Sequence, residues 1–276
     1  MPLEARRVIR KMRGGAQAHL LEASDGHAYV VKFQNNPQHR RILVNEWIAS
    51  NFLQYLGLAT PQTAIVQISQ QFLDQNPEVY IQNGGQRQAV ALGWHFGSRY
   101  PGDPMRTTVY DFLPDTLLSQ VTNLREFVGM LVFDKWMGNA DSRQAIFFRA
   151  RLSELGPAAP PERLGFVAQM VDNGYVFEGP HWRFGESPIQ GLYFRPAVYH
   201  EVRGLESFEP WLERIRHFPD EVVDRAVNSV PRTWIAGEED ALQHLLEQLM
   251  RRRSRVGELI ADCRSARIDP FPAWRH

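Results

Sequence analysis

The stretch AYVVKFQNNPQHRRILVNEWIAS (28–50) decides the fold, because it joins a strand pattern to a helix pattern through a short polar loop. Period-two alternation on the strand places Lys32 on the same face as Val30. On the predicted helix, residues 39–56, Glu46 lies in the middle of an apolar stripe. An unpaired buried charge is very costly, so this pattern predicts an ion pair between Lys32 and Glu46.

A strand lysine tied to a helix glutamate is the arrangement that kinases use to hold the α- and β-phosphates of ATP. Other interpretations stay open on this pattern alone. In one, Lys32 and Glu46 form a purely structural ion pair. In the other, Lys32 faces solvent and Glu46 reaches water from the edge of the stripe.

Small residues fill the turn between the first two predicted strands. Gly14, Gly15, Ala16 and Gln17 allow backbone N–H groups to approach phosphates closely. The turn lacks the G-K-[ST] sequence of a P-loop. A tight hairpin turn needs no ligand, so a phosphate-binding loop and a plain turn are both compatible with these residues.

Two candidate carboxylates lie at turns further along the chain. Asp141 stands in the polar turn GNADSRQ (138–144), where a catalytic carboxylate can orient an acceptor hydroxyl and take its proton. Asp172 precedes a flexible glycine turn in VDNG (171–174), which suits a magnesium ligand. Ordinary turn chemistry is the alternative for both. The strands around these turns are predicted to form a hairpin, so the two carboxylates are expected to face one cavity.

The overall pattern is α+β, and it predicts a two-lobed, kinase-like architecture. We expect a strand-rich N-terminal lobe at residues 1–97 and a helical C-terminal lobe at residues 98–276, with the border in the Gly- and Pro-rich stretch 94–102. The predicted strands of the first lobe lie at 6–12, 18–22, 27–33, 63–69, 78–82 and 88–96.

Local signals also predict where helices begin and end. Gly57 and Gly138 are expected to end two long helices. Asn123 and Glu126 are expected to form a capping box. A Pro-rich loop, LGPAAPPERL (155–164), is predicted to join the two strands of the C-terminal hairpin.

Taken together, these motifs resemble the HipA-like kinase family, within the wider protein-kinase-like superfamily. The matching stretches are RGGAQAHLL, YVVKFQNNPQ, VNEWIAS, VFDKWMGNADSRQAIFFR and MVDNGYVF. The resemblance implies binding of ATP, use of Mg²⁺ and phosphorylation of a Ser or Thr hydroxyl. It implies the following roles: phosphate binding by Lys32, with Glu46 as its anchor; a phosphate loop containing Gly14, Gly15 and Gln17; catalysis by Asp141; and metal binding by Asp172.

One departure from the kinase pattern affects the metal site. Kinases usually place an asparagine five residues after the catalytic aspartate, and that position here is Ile146. Gln144 offers a carbonyl oxygen nearby and is expected to substitute for it. The alternatives are a nucleotide-binding pseudokinase that acts as an interaction module, an enzyme that transfers AMP, and a small-molecule kinase.

Composition bounds the cellular setting and the partners. Lys plus Arg and Asp plus Glu both number 31, so the formal charge is zero and gives no reason to expect nucleic acid as a partner. The single cysteine, Cys263, excludes an internal disulfide. We see no signal peptide and no apolar run of roughly 18 residues. A cytoplasmic protein with no membrane partner is therefore expected, acting on an unknown protein or small-molecule acceptor and open to a regulatory partner.

Three further features of the sequence also bear on function. The nine histidines show no convincing metal-ligand spacing. The arginine-rich run at residues 251–255 interrupts an amphipathic helix and is expected to be a solvated helix face. The aromatic-rich stretch 94–100 either contacts adenine through its backbone or packs between lobes.

Overall fold

The computed structural model describes residues 1–151 and 164–275. Its N-terminal part is a closed five-stranded barrel in the order β1-β2-β3-β7-β4, with a separate β5–β6 hairpin. The barrel closes through a short parallel pairing of β1 with β4, whereas its other pairs are antiparallel. The strands are β1 (Leu3–Lys11), β2 (His19–Ala23), β3 (Ala28–Lys32), β4 (Thr63–Ile68), β5 (Tyr80–Asn83), β6 (Gln86–Ala89) and β7 (Gly93–Arg99).

The predicted strand at residues 88–96 is wrong in one respect, because it is divided between β6 and β7. The Asn35 side chain accepts a hydrogen bond from Ala91 N and donates one to Ala89 O. Gly93 then has φ = +109°, a left-handed value that interrupts the extended backbone. A contact from a residue more than 50 positions away is invisible to local periodicity.

The helix α1 (Arg41–Leu56) follows the barrel strand that carries Lys32. Gly57 ends it with φ = +70°, as the sequence predicts. Ile42, Leu43 and Val44, which point to three different sides of α1, are all fully buried, so the helix is enclosed rather than lying on a surface. A second helix, α2 (Gln70–Gln75), is short, and the sequence did not predict it.

The C-terminal part combines a three-stranded sheet with helices. Its sheet has the order β10-β9-β8, and β9 pairs with β10 in the predicted antiparallel hairpin. The predicted Pro-rich loop lies outside the described residues, apart from its last residue. The remaining strands are β8 (Val109–Tyr110), β9 (Gln144–Arg151) and β10 (Leu164–Val171). The remaining helices are α3 (Asp115–Leu118), α4 (Glu126–Met137), α5 (Trp211–Arg216), α6 (Asp220–Asn228), α7 (Arg232–Ile235), α8 (Glu239–Arg252) and α9 (Val256–Asp262).

The predicted capping box at the start of α4 is wrong. The Asn123 side chain is instead paired with the backbone of Ala168, accepting from its N–H and donating to its carbonyl. The Glu126 carboxylate accepts from Ala59 N at 2.5 Å. Both side chains thus join α4 to distant segments. The end of α4 is as predicted, at Gly138 with φ = +60°.

The arginine-rich run is only partly a solvated face. Arg252 is buried, donates through Nε to Lys135 O and pairs with Glu186. Its guanidinium lies over the Phe184 ring, 5.1 Å from the centroid. Phe184 in turn packs against Gly138, where an added Cβ would come within 2.8 Å of its ring. Arg252 therefore supports the turn that carries Asp141.

No helix in the described part of the chain has the length and apolar character to span a membrane.

Candidate active site

Lys32 is at the centre of the site and contacts two carboxylates. Its Nζ donates to Glu46 Oε1, confirming the ion pair expected from alternation, and to Asp172 Oδ1 at 2.7 Å. The side chains of Lys32 and Glu46 are only 11% and 4% exposed. Burial alone would lower the pKa of Lys32, but the two carboxylates outweigh it, so the pKa is raised and the ammonium stays charged.

Asp172 is held in an unusual backbone conformation beside that ammonium. Its φ is +60°, in the left-handed region that a non-glycine residue rarely adopts. The Lys32 charge lowers the pKa of the Asp172 carboxyl, which is therefore ionised at neutral pH. Gly174, two residues later, has no room for a side chain, because a Cβ would come within 2.7 Å of Ile42 on α1. The segment 171–174, here called the Asp172 loop, is thus fitted closely against α1.

Asp141 lies in the segment 138–144, here called the Asp141 loop. Its backbone N–H donates to Asn139 Oδ1 at 3.2 Å, and its carbonyl accepts from Gly191 N at 3.1 Å. Its side chain is exposed, and Oδ1 accepts from Ser142 N at 2.8 Å. The loop therefore has a fixed backbone and presents its carboxylate to solvent.

A cavity of about 410 Å³ connects the glycine turn to Lys32 and Asp172. Its lining includes the glycine turn and several polar side chains, among them Gly14, Gly15, Ala16, Lys32, Glu46, Gln144 and Asp172. It also includes the apolar or aromatic residues Met12, Ala18, Val30, Phe96, Tyr100, Val109 and Ile146. The lining thus combines charged groups with apolar ones, which suits a ligand with an anionic part and a flat apolar part.

Asp141 and Gln17 are not among the residues that line this cavity in the described part of the chain. Gln17 instead reaches the β5–β6 hairpin. Its Oε1 accepts from Gln82 N at 2.8 Å, and its Nε2 donates to Gln82 O at 2.7 Å. The structure therefore brings together six sequence-predicted positions with Lys32 around the cavity, while Gln17 holds the turn in place from outside.

A comparison of the sequence with known protein families agrees with this geometry. A family model described as HipA-like kinase matches residues 5–146, just over half of the chain. The chain belongs to the HipA-like kinase family. No curated protein matches the sequence.

Solved kinase structures share the fold. The Golgi casein kinase with Mn/ADP bound is 12% identical at a TM-score of 0.57, over 96% of this chain and 74% of that chain. Hydra Fam20 with sugar is 14% identical at 0.58, over 96% and 87%. The Helicobacter pylori proinflammatory kinase CtkA is 11% identical at 0.51, over 96% and 98%. These identities establish a kinase-like fold and nothing finer.

In this member of the HipA-like kinase family, the start of β9 shows where Gln144 and Ile146 lie relative to Asp172. Gln144 pairs in register with Val171, directly before Asp172. The Gln144 Nε2 lies 3.2 Å from Asp172 Oδ2, whereas Ile146 lies two strand positions further along the same cavity wall. The amide and the carboxylate are thus neighbours, and Ile146 contributes to the apolar part of the lining.

The oxygen donors here fit Mg²⁺ bound through a nucleotide. Within residues 1–151 and 164–275, no group of three or more His, Cys, Asp or Glu side chains could hold a metal ion by itself. Mg²⁺ typically uses one or two carboxylates together with substrate phosphates and water, rather than a cage of protein ligands. Asp172 supplies such a carboxylate, and the Gln144 amide would present its oxygen to the ion once its Nε2, which donates to Asp172 Oδ2 here, turns away.

Sequence reasoning missed two groups of residues at the site. One is the buried pair of Asp134 and Arg143, whose side chains are 0% and 1% exposed. The available signal was a carboxylate inside the otherwise apolar face of α4. The other group consists of Arg10, Arg13 and Arg99, which line the cavity. Arg13 directly precedes Gly14, and a cation at that position was readable from the sequence.

Proposed function

We propose that this protein is an ATP- and Mg²⁺-dependent phosphotransferase acting on a hydroxyl group, most simply a Ser or Thr of a protein. The observation that carries the proposal is the position of Lys32, shared between Glu46 on α1 and Asp172 after β10. The same cavity is bounded by the glycine turn. Membership of the HipA-like kinase family supports the same reaction class.

Lys32 and the glycine turn would bind the phosphates of ATP. The Lys32 ammonium would hold the α- and β-phosphates, and Glu46 would keep it in position. Backbone N–H groups of Gly14, Gly15 and Ala16 would approach the phosphates without side chains in the way. The apolar residues of the cavity lining, including Val30 and Tyr100, would receive the base.

Asp172 and Gln144 would hold the Mg²⁺ ion. When bound, the ion neutralises charge on the β- and γ-phosphates. Asp172 is ionised and half-exposed, with 41% of its side chain accessible, so its carboxylate is available to a cation. Gln144 contributes through its amide oxygen, since an amide presents an acceptor as well as donors.

Asp141 would direct the acceptor. Its backbone is hydrogen-bonded to Asn139 and Gly191, so the direction of the exposed carboxylate is defined. That carboxylate would orient the acceptor hydroxyl and take its proton as the phosphoryl group transfers. A protein acceptor, a regulatory partner and a cytoplasmic location remain predictions from the sequence.

The first test is the substitution Asp141→Ala. We expect transfer from radiolabelled ATP to fall by about 10²–10⁴-fold, because the general base is lost. ATP affinity should change little, since Asp141 does not line the cavity. Asp224→Ala, at an exposed aspartate on α6, is the matched control. Full residual activity in Asp141→Ala would remove this residue from the proposed role.

The second candidate function is a nucleotide-binding module without turnover, motivated by Ile146 at the usual asparagine position. Thermal-shift titration with ATP, with and without Mg²⁺, combined with the transfer assay, separates the two. Binding without transfer would favour the module. Intact-mass measurement of modified protein distinguishes phosphate from AMP as the transferred group.

A further inference from the structure

A buried ion pair lies directly beneath the site, between Asp134 at the end of α4 and Arg143 in the Asp141 loop. Arg143 donates through Nε to Asp134 Oδ2 at 2.8 Å and through Nη2 to Asp134 Oδ1 at 2.5 Å. The pairing is bidentate and fully removed from water. Asp134 also raises the pKa of the Arg143 guanidinium against the opposing effect of burial, so Arg143 stays charged.

The third nitrogen of the same guanidinium reaches the Asp172 loop. Arg143 Nη1 donates to Val171 O at 2.8 Å and to Asn173 Oδ1 at 3.0 Å. Val171 and Asn173 are the two neighbours of Asp172 in the chain. The Asn173 side chain faces Arg143 and is buried, so it does not point toward a ligand.

Asp134 holds the Asp141 loop from the other side. Its Oδ1 accepts from Asn139 Nδ2 at 2.9 Å, and its backbone carbonyl accepts from Asn139 N at 3.0 Å. Asn139 Oδ1 then accepts the backbone N–H of Asp141. A continuous set of hydrogen bonds therefore runs from the backbone of Asp141, through Asp134 and Arg143, to both neighbours of Asp172.

We propose that Asp134 and Arg143 are positioning residues that set the distance between the candidate catalytic carboxylate, Asp141, and the candidate metal-binding carboxylate, Asp172. This inference rests on the proposed function. Neither side chain lines the cavity within the described part of the chain, so both act through the two loops. Their effect is to make the metal site and the acceptor site one rigid unit.

The choice of arginine is what makes the link possible. The guanidinium is planar and directs its N–H groups to two sides at once. Lysine at position 143 could satisfy Asp134 or the Asp172 loop, but it has no fork to span both. Arg143→Lys therefore keeps the charge and breaks the link, which separates the positioning role from charge balance in the core.

The test compares Arg143→Lys with Arg149→Lys, a matched control at an exposed arginine on the same strand, β9. For Arg143→Lys, we expect the Mg²⁺ concentration that half-maximally stimulates ATP binding to rise, and kcat to fall, each by about 10–100-fold, the usual effect of losing a residue that orients metal ligands. ATP affinity without metal should stay within about twofold, because the Lys32 contacts are intact. The control should match the wild type in all three measurements.

A second variant protects the test against misfolding of the first. Asn173→Ala leaves the Asp134–Arg143 pair complete and removes one contact to the Asp172 loop. We expect a shift in Mg²⁺ dependence in the same direction. Calorimetric titration of ATP at fixed Mg²⁺ concentrations measures that shift without requiring turnover.

Two outcomes would overturn the inference. One is a folded Arg143→Lys protein with a lower melting temperature but wild-type Mg²⁺ dependence and kcat, since the pair would then only stabilise the core. The other is a folded Asn173→Ala protein with unchanged Mg²⁺ dependence. A wild-type protein that binds Mg²⁺-ATP but never transfers phosphate would refute the proposed function alone, because Mg²⁺-dependent binding would still test the link.

Discussion

At the residue scale, the Lys32 ammonium lies between two carboxylates and offsets the repulsion between their negative charges. Glu46 is almost fully buried and depends on the Lys32 ammonium for its charge to be tolerated. Asp172 is more accessible and has its pKa lowered by the same ammonium. The stability that this lowered pKa provides is present above the ordinary carboxyl pKa, and it is lost as the pH falls through the lowered value.

We predict that Lys32→Met destabilises the protein by about 3–5 kcal/mol at pH 7, because it leaves Glu46 buried and unpaired. Urea unfolding of this variant and of the wild type at pH 7 measures the penalty.

The double variant Lys32→Met with Glu46→Met is the control for this prediction. It removes both members of the buried pair and should recover most of the stability at pH 7, while ATP binding remains lost. A double variant as unstable as Lys32→Met alone would contradict the assignment of Glu46 as the charge responsible.

The residues of the site differ in how far sequence could predict them. Alternation and helical spacing were sufficient for Lys32 and Glu46, since each lies on a regular element whose buried face can be read locally. Arg143 could not be predicted, because its partners Asp134 and Asn173 come from two other segments. The direction of the Gln17 side chain was likewise set by a distant hairpin.

At the element scale, α1 is fastened to the segment after Asp172. Asn45, which is fully buried, donates through Nδ2 to the carbonyls of Gly174, Val176 and Gly179 at 2.8, 3.0 and 3.0 Å. Its Oδ1 accepts from the Trp182 indole N–H at 2.9 Å. One side chain therefore fixes the helix that carries Glu46 against the chain that follows the Asp172 loop.

We predict that Asn45→Ala lowers the free energy of unfolding by about 2–3 kcal/mol, because buried polar groups lose their partner. ATP affinity should fall as well, since the position of Glu46 relative to Asp172 is no longer fixed. Chemical denaturation and nucleotide titration measure the two effects.

Asn51→Ala is the matched control on the same helix, because the Asn51 side chain donates to Trp47 O within α1. It should change stability by less than about 0.5 kcal/mol. An equal loss of unfolding free energy in the two variants would show that the bonds to residues 174–179 contribute no more than a bond within α1.

The ends of α1 and α4 were predictable, because a left-handed glycine is a local requirement that Gly57 and Gly138 satisfy. The start of α4 was not, since the Asn123 side chain bonds to Ala168 and the Glu126 carboxylate to Ala59, and neither caps the helix. The prediction of one continuous strand over residues 88–96 was wrong for the same reason, because Asn35 bonds to the segment between β6 and β7. Sequence therefore predicted features set by local backbone preference and missed those set by tertiary hydrogen bonds.

At the scale of the whole molecule, α1 lies between the barrel strands β3 and β4 in sequence but packs into the main helical core. The Phe52 ring stacks on Trp136 of α4 at 5.5 Å and contacts Phe218 at 4.8 Å. Leu53 and Leu56 belong to the same buried cluster. The boundary between two lobes at residue 97 remains a prediction from the sequence. The helix α1 precedes that boundary, yet it packs against elements that follow it.

We predict that residues 98–276 expressed alone do not form a well-packed fold, because removing α1 exposes a large apolar surface. Near-ultraviolet circular dichroism and limited proteolysis against the full chain measure the loss. The full chain should show one cooperative thermal transition. An independent, cooperative transition in the 98–276 fragment would contradict this prediction.

The bonds between Gln17 and Gln82 have a consequence for nucleotide exchange under the proposed function. The turn at residues 14–17 borders the cavity through Gly14, Gly15 and Ala16, and it cannot lift without carrying the β5–β6 hairpin with it or breaking both bonds. Two such bonds are worth on the order of 1–3 kcal/mol, roughly a fivefold to hundredfold reduction in the open population. Under the proposed function, bound nucleotide would therefore leave slowly, and any contact that holds the β5–β6 hairpin in place would lower the rate of its release.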